Sequence, residues 1–225
     1  MAAQSIKDIR GLKYPEECLI RFFFKNGLHN GPGRVIEAGC SNGCNLRLFH
    51  EYDWETVGID ISREALADGE ANFAAMHAFG RSYRFINHDL TEGLPADLGG
   101  PFDCALFPSS LYYIPRASMV RVLRDVRPLL RRGAIYYLRM RSPRDYRFGR
   151  GESVEPNGFR MTTEITGEQG ALNVFYHEHE MVDMLRDHLE ADPAGMKIMQ
   201  VDYQNVQNDV IVSNSDVVIW GRLPS

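Results

Sequence analysis

No stretch of this chain approaches the ~20 consecutive apolar residues that a membrane-spanning helix requires. The densest early run, residues 19–24, is interrupted by Arg21. The opening residues, MAAQSIKDIRGLKYPEE, also lack the apolar core of a signal peptide. Both absences predict a cytoplasmic protein with no membrane partner. Cysteine is scarce: Cys18, Cys40, Cys44 and Cys104 are too few and too irregular for a disulfide scaffold. Cys40 and Cys44 are close, but no second pair or histidine cluster completes a zinc site, and no other ligand spacing stands out, so no metal is expected. Positive charge is not in excess either. With 25 Lys and Arg against 30 Asp and Glu the net charge is −5, which argues against nucleic acid as a partner. Repeats, low-complexity tracts and long Pro/Gly linkers are missing too, so residues 1–225 are expected to form one domain.

What is present is an alternation of apolar strands and amphipathic helices. A first helix fits residues 15–26, with Pro at its start and Asn26-Gly27 as its stop. Strands are expected at 34–38, 55–60, 83–87, 102–107 and 134–140, with helices at 45–52, 62–79 and 117–130 between them. Ser62 is placed to cap the second of these helices. Val120, Leu123, Val126 and Leu130 make one face of the third, and Arg131-Arg132-Gly133 its end. Residues 142–173 read as polar, Gly-rich and irregular, followed by a helix at 178–189. Two closing segments, 197–203 and 217–223, suit a terminal antiparallel hairpin. The expected fold is α/β: a Rossmann-like, doubly wound, seven-stranded and mostly parallel sheet with helices on both faces.

The informative motif is Val35-Ile36-Glu37-Ala38-Gly39-Cys40-Ser41-Asn42-Gly43, at the first strand-to-helix turn. Gly39 permits a sharp turn off the strand, and Gly43 permits close approach of a ligand or the sheet. The next helix offers free N–H donors at its start. One strand later Val57-Gly58-Ile59 leads to Asp60, whose carboxylate suits the two hydroxyls of a ribose. A dinucleotide loop would require G-x-G-x-x-G, but the second and third glycine positions hold Ser41 and Cys44. Glu37 would also repel a pyrophosphate, whereas it would attract a cation.

Taken together these residues resemble the class I S-adenosylmethionine (SAM)-dependent methyltransferase family. The likeness also includes His88-Asp89-Leu90, Phe102-Asp103 with Ser109 and Leu111-Tyr112-Tyr113-Ile114, and Leu129-Leu130-Arg131-Arg132-Gly133. It runs from about residue 14 to the end. The departure is Ser41, where the family usually has a second glycine; serine fits there if its φ is negative. The resemblance implies that Gly39, Cys40 and Gly43, together with Glu37, serve the methionine end of SAM. It further implies Asp60 and Ile61 for the ribose side, Asp89 and the Leu90 backbone for adenine, Phe107 backbone for the ammonium, and Tyr112 near the methyl group. Asp89 capping a turn and Tyr112 as a core aromatic are the competing structural readings. Tyr14-Pro15-x-Glu17 with Arg21, and Gly149-x-Gly151-Glu152, are similar to pieces of bacterial small-molecule methyltransferases. They imply that the helix in residues 14–27 is a lid over SAM and that the polar insertion 142–173, with Tyr14, serves the acceptor.

Methyl transfer is an in-line displacement that depends mainly on alignment. A base is optional; Tyr112, His88 and His177 are the catalytic candidates, with His179 a further histidine beside them. Arg141, Arg144 and Arg147 follow the fifth strand and suit an acidic group on the acceptor, or else pair with nearby acids such as Asp145. The expected activity is methylation of a small polar or anionic acceptor such as a sugar derivative, releasing S-adenosylhomocysteine (SAH). A non-catalytic SAM-binding regulatory subunit and a NAD-dependent oxidoreductase are the alternatives. Monomer and dimer are both compatible with the sequence.

Overall fold

The computed structural model describes residues 6–76 and 81–225. In chain order the first half comprises helix α1 (Glu17–Lys25), strand β1 (Arg34–Ala38), α2 (Cys44–His50), β2 (Glu55–Asp60), α3 (Arg63–Ala74), β3 (Tyr83–Asn87) and β4 (Phe102–Pro108). Then come α4 (Arg116–Val126), β5 (Leu130–Arg141), and three short strands, β6 (Gly151–Glu155), β7 (Gly158–Met161) and β8 (Leu172–Val174). Helix α5 (Glu178–Leu189) leads to a long hairpin, β9 (Lys197–Gln207) and β10 (Val210–Arg222).

Seven strands form one sheet in the order β3-β2-β1-β4-β5-β10-β9. The pairs among β1 to β5 are parallel, and both pairs made by β10 are antiparallel. A dinucleotide-binding sheet appends its last strand in parallel at the edge; here the last strand is wedged inside.

Side chains alternate between two faces, as a strand requires. Val35, Leu106, Ile135 and Tyr137 meet Phe22 and Phe23 of α1, Phe49 of α2 and Phe73 of α3. Their neighbours Ile36, Ala105, Tyr136 and Leu138 meet Val122 and Leu123 of α4 and Met181 and Leu185 of α5. The strands are apolar on both sides because helices cover both sides. The helix after β1 lies on one face and the helix after β4 on the other. The chain therefore parts between the carboxyl ends of β1 and β4, where α/β sheets open a crevice.

Several boundaries differ from expectation. Helix α4 stops at Val126 and gives way to a 3-10 turn over Arg127–Leu129. Pro128 cannot supply an N–H to continue the helix, so Arg131-Arg132-Gly133 belong to β5 instead. Helix α1 is shorter than residues 14–27 because Glu16 is extended, at φ −60° and ψ 133°. The Ser62 hydroxyl caps α3 by accepting from the Ala65 N–H, but the end expected near Phe79 lies outside the described residues. The largest difference is in residues 142–173, which hold a separate antiparallel sheet in the order β6-β7-β8. Its strands are only three to five residues long, and β6 is mostly exposed, too short to display a convincing period of two. The closing hairpin is longer than expected because β9 and β10 continue pairing beyond the Val201–Asp216 pair out to Gln207–Val210, through mixed polar and apolar residues. No helix among the described residues is long and apolar enough to cross a membrane.

Candidate functional site

The loop after β1 is shaped by backbone that only a side-chain-free residue adopts easily. Gly39 has φ +78°, and a Cβ there would stand 2.3 Å from the Cβ of Ser110. The two loops are locked together at this point, since the Ser110 hydroxyl donates to the Ala38 carbonyl at 2.6 Å. Gly43 caps α2 at φ +71°, with the Phe85 ring 2.6 Å from where its Cβ would be. Ser41 corrects the expectation of a negative φ: it sits at +50°. Its N–H donates to Asp60 Oδ2 at 2.7 Å, which holds the strained residue in place. A left-handed L-residue costs about 1–2 kcal/mol, of which the greater unfolded-state freedom of glycine returns roughly half. Ser41→Gly is therefore expected to stabilise the protein by ~0.5–1 kcal/mol in denaturant unfolding; a destabilised variant would show that the serine side chain serves the loop.

A cavity of about 440 Å³ opens above this loop at the carboxyl edge of the sheet. Of the residues singled out in the sequence, it brings together Gly39, Asp60, Ile61, His88, Asp89 and Leu90. It also recruits Thr91 and Ser110, together with Ser109, Tyr113 and Ile114 of the motif after the fourth strand. Asp60 Oδ1 accepts from the Ser62 N–H at 2.9 Å, so each carboxylate oxygen is aimed by one backbone amide and keeps a free lone pair. Asp89 does cap a turn: Oδ1 accepts from the Thr91 N–H at 2.8 Å, and that bond holds the carboxyl below its usual pKa. Its Oδ2 stays available. His88 Nε2 lies 3.2 Å from the Gly93 carbonyl, so that nitrogen carries the proton and Nδ1 alone is free to accept one.

Beneath the cavity lies a buried layer. Glu37 is fully buried; Oε1 accepts from Asn45 Nδ2 at 2.8 Å, and Oε2 has no partner among the described residues. Burial pushes its carboxyl up to about 8. Cys40 and Phe107 are buried as well, and neither they nor Gly43 belong to the cavity wall.

Tyr112 is buried, under the Arg141 guanidinium at 4.4 Å from its ring centroid. Burial holds its phenol far above the usual pKa. Its neighbour Tyr113 lines the cavity in its place and is 38% exposed. The Tyr113 hydroxyl donates to Glu168 Oε1 and accepts from Arg141 at 3.3 Å. Arg141 pairs with Glu168 at 2.8 Å and bonds Asn173. Arg147 pairs with Glu168 and with Asp145 at 3.0 Å. Burial raises the Glu168 carboxyl, but Arg141, Tyr113 and Arg147 outweigh it and leave the pKa below its usual value. The expected anion clamp is corrected on this ground: Arg141 and Arg147 are buried and already neutralised. Arg144 is exposed and paired with Asp202 of β9 at 3.0 Å. His177 is corrected likewise. It precedes α5 at the surface, its N–H donating to Glu180 at 2.8 Å, with its ring stacked on His179. Tyr14 is 72% exposed and lies off the cavity wall.

Residues 35–133 match the family model described as a methyltransferase domain. No curated protein sequence matches the chain. Among solved structures, a SAM-dependent methyltransferase from Methanosarcina mazei superposes with a TM-score of 0.64 at 18% identity, covering 88% of this chain and 97% of that one. The 1,6-didemethyltoxoflavin-N1-methyltransferase of Burkholderia thailandensis gives 0.59 at 15% identity, covering 93% and 78%. The magnesium protoporphyrin IX methyltransferase of Synechocystis gives 0.56 at 16%, covering 90% and 76%. At these identities the likeness is one of fold.

Proposed function

We propose that this chain, whose residues 35–133 match the methyltransferase-domain family model, is a class I SAM-dependent methyltransferase that transfers the methyl group of SAM to a small polar acceptor and releases SAH. The observation that carries the reading is the meeting of Gly39, Asp60 and Asp89 around one cavity. Asp60, aimed by the Ser41 and Ser62 amides, accepts from the ribose hydroxyls, with Ile61 beside it. The free Oδ2 of Asp89 accepts from the adenine amino group, and the Leu90 backbone borders the ring. Gly39 lets the methionine end come close to backbone, with Cys40, Gly43 and Phe107 shaping that wall from behind. The unpaired Oε2 of Glu37 suits a ligand ammonium and would penalise a pyrophosphate.

When bound, SAM supplies a methyl group activated by its sulfonium. The protein's part is alignment, which can supply most of the acceleration. His88 Nδ1 is the one candidate base on the cavity wall; Tyr112 is protonated, and His177 lies elsewhere. Tyr113 and Ile114 form the acceptor side, held from outside by Glu168 of the insertion. Since Arg141 and Arg147 already hold carboxylates, the acceptor meets a wall without net charge there, which favours a polar neutral molecule over an anion. The lid expected of the helix in residues 14–27 passes to the segment ahead of α1, because α1 packs Leu19, Phe22 and Phe23 into the core while residues 10, 12 and 16 bond to the turn after β1.

Calorimetry with SAM, SAH and NAD tests the reading. Micromolar binding of the adenosyl pair is expected, weakened roughly 10- to 100-fold in Asp60→Ala by loss of a charge-assisted bond. Binding of NAD alone, or SAH affinity unmoved by the substitution, would refute it. Binding without turnover of any acceptor would favour the regulatory reading.

A further inference from the structure

One side-chain amide joins three separate pieces of the chain. Asn45, in the first turn of α2, donates through Nδ2 to Glu37 Oε1 at 2.8 Å and accepts through Oδ1 from the Glu16 N–H at 2.9 Å. Its orientation is dictated by those partners, because the flipped amide would set oxygen against carboxylate and donor against donor. Asn42 holds the same N-terminal segment, donating to the Arg10 and Leu12 carbonyls at 2.6 and 2.8 Å. The Glu16 side chain accepts from the Tyr137 hydroxyl and pairs with Arg139 of β5 at 2.9 Å. Residues 9–16 are thus stitched to the turn that contains Gly39 and Gly43 by two asparagines that flank Gly43.

We infer that Asn45 is a positioning residue that couples docking of residues 9–16 to cofactor binding, so that each strengthens the other. The inference rests on the reading of Glu37 as the partner of the cofactor ammonium. A buried carboxylate can ionise only if its oxygens are satisfied; Asn45 satisfies one and the ammonium the other. With the segment docked, the Glu16 N–H fixes the Asn45 amide with its donor toward Glu37. With the segment lifted, Asn45 is free to turn and Glu37 loses that donor. Conversely, a charged Glu37 polarises the amide and tightens its bond to Glu16. Such coupling is reciprocal by thermodynamic necessity. The groups facing Glu37 are Asn45 and Cys44 of α2, Cys40 of the loop, Cys104 of β4, Glu16 ahead of α1 and Asp60 at the end of β2. Burial, Glu16 and Asp60 all raise the Glu37 pKa, and Asn45 alone lowers it. Cofactor binding at neutral pH therefore expels a proton from Glu37.

The test uses the full chain with SAH as probe, reading amide exchange at residues 9–16 and calorimetric affinity against pH. In the wild type, SAH slows exchange across the segment, and its affinity rises with pH and levels off near 8. In Asn45→Ala, SAH binds about tenfold more weakly, the slowing is lost, and the levelling moves to higher pH. A merely structural role for Asn45 would leave that pH profile in place. Asn42→Ala loosens the segment without touching Glu37 and keeps the proposal testable if Asn45→Ala does not fold; it too should weaken SAH and shift the profile. Undiminished SAH protection of residues 9–16 in Asn45→Ala, or wild-type SAH affinity in an Asn42→Ala variant whose segment exchanges freely, overturns the coupling alone. Failure of the wild type to bind SAH overturns the cofactor reading, and the coupling with it.

Discussion

Replacing Glu37 by glutamine is expected to stabilise the protein by about 2 kcal/mol at pH 8.5, to destabilise it by about 1 kcal/mol at pH 5, and to weaken SAM binding at least tenfold. In the unfolded chain Glu37 ionises near its ordinary value of 4.5, whereas in the fold it ionises at about 8. Below 4.5 the acid is neutral in both states and carries no electrostatic penalty. Above it the unfolded state loses its proton first, so stability falls as pH rises and the full cost is present beyond 8. That cost is on the order of 4 kcal/mol. Glutamine removes it, keeps an acceptor for Asn45, and leaves one buried N–H group unpaired at about 1–3 kcal/mol. Thermal unfolding from pH 5 to 9, run beside SAH calorimetry, reads both halves. A wild-type protein whose stability is flat between pH 5 and 8, or a variant that binds SAH as tightly as wild type, would remove Glu37 from the cofactor site.

Gly39→Ala is expected to lose 3 kcal/mol or more of stability, roughly the scale of an overpacked core site with added backbone strain, and about 100-fold in SAH affinity. The methyl group would stand 2.3 Å from the Ser110 Cβ at a backbone φ of +78°. The obstacle is the first atom of a side chain, which no rotamer change removes, so the β1 and β4 loops must separate. Adding Ser110→Gly isolates the steric share: the double variant should recover part of the stability, but neither the cost of the left-handed backbone nor the lost bond to Ala38. A double variant no better than Gly39→Ala would mean that the contact is not what demands glycine there.

The parallel core was legible because its strands are short apolar runs with helices on both faces, as at Val35-Ile36 and Val57-Gly58-Ile59. The acids that follow them, Asp60 and Asp89, stand where strands end and the cavity begins. Less legible was anything decided by contacts remote in sequence. Tyr112 and Tyr113 are equivalent on paper; the phase of a 3-10 turn over Leu111–Tyr113 buries the first and presents the second. The sequence left the arginines after β5 between an anion clamp and pairing with nearby acids; Glu168, which pairs with both Arg141 and Arg147 and with Asp145 balances their charge, stands more than twenty residues later in an insertion that gave no strand signal. Asn45 carried no motif at all. Its importance comes from a Glu16 backbone N–H, which has no signature in a side-chain pattern. Ser41 shows the converse, a position where sequence favoured ordinary backbone and a hydrogen bond from its N–H to Asp60 holds the left-handed one.

The placement of β10 between β5 and β9 has a consequence for how the chain is made. Strand β9 leaves the ribosome first, yet its only neighbour in the sheet is β10, so it has nothing to join until that later strand arrives. Until then β5 is an open edge, with the backbone of residues 135–141 unpaired on one side, and such edges recruit other chains. The growing polypeptide must therefore shelter a nearly complete five-stranded sheet until the β9–β10 hairpin has emerged. Insertion of β10 is a long-range docking of the kind that slows folding, and the vulnerable interval runs from the completion of β5 to the arrival of β10.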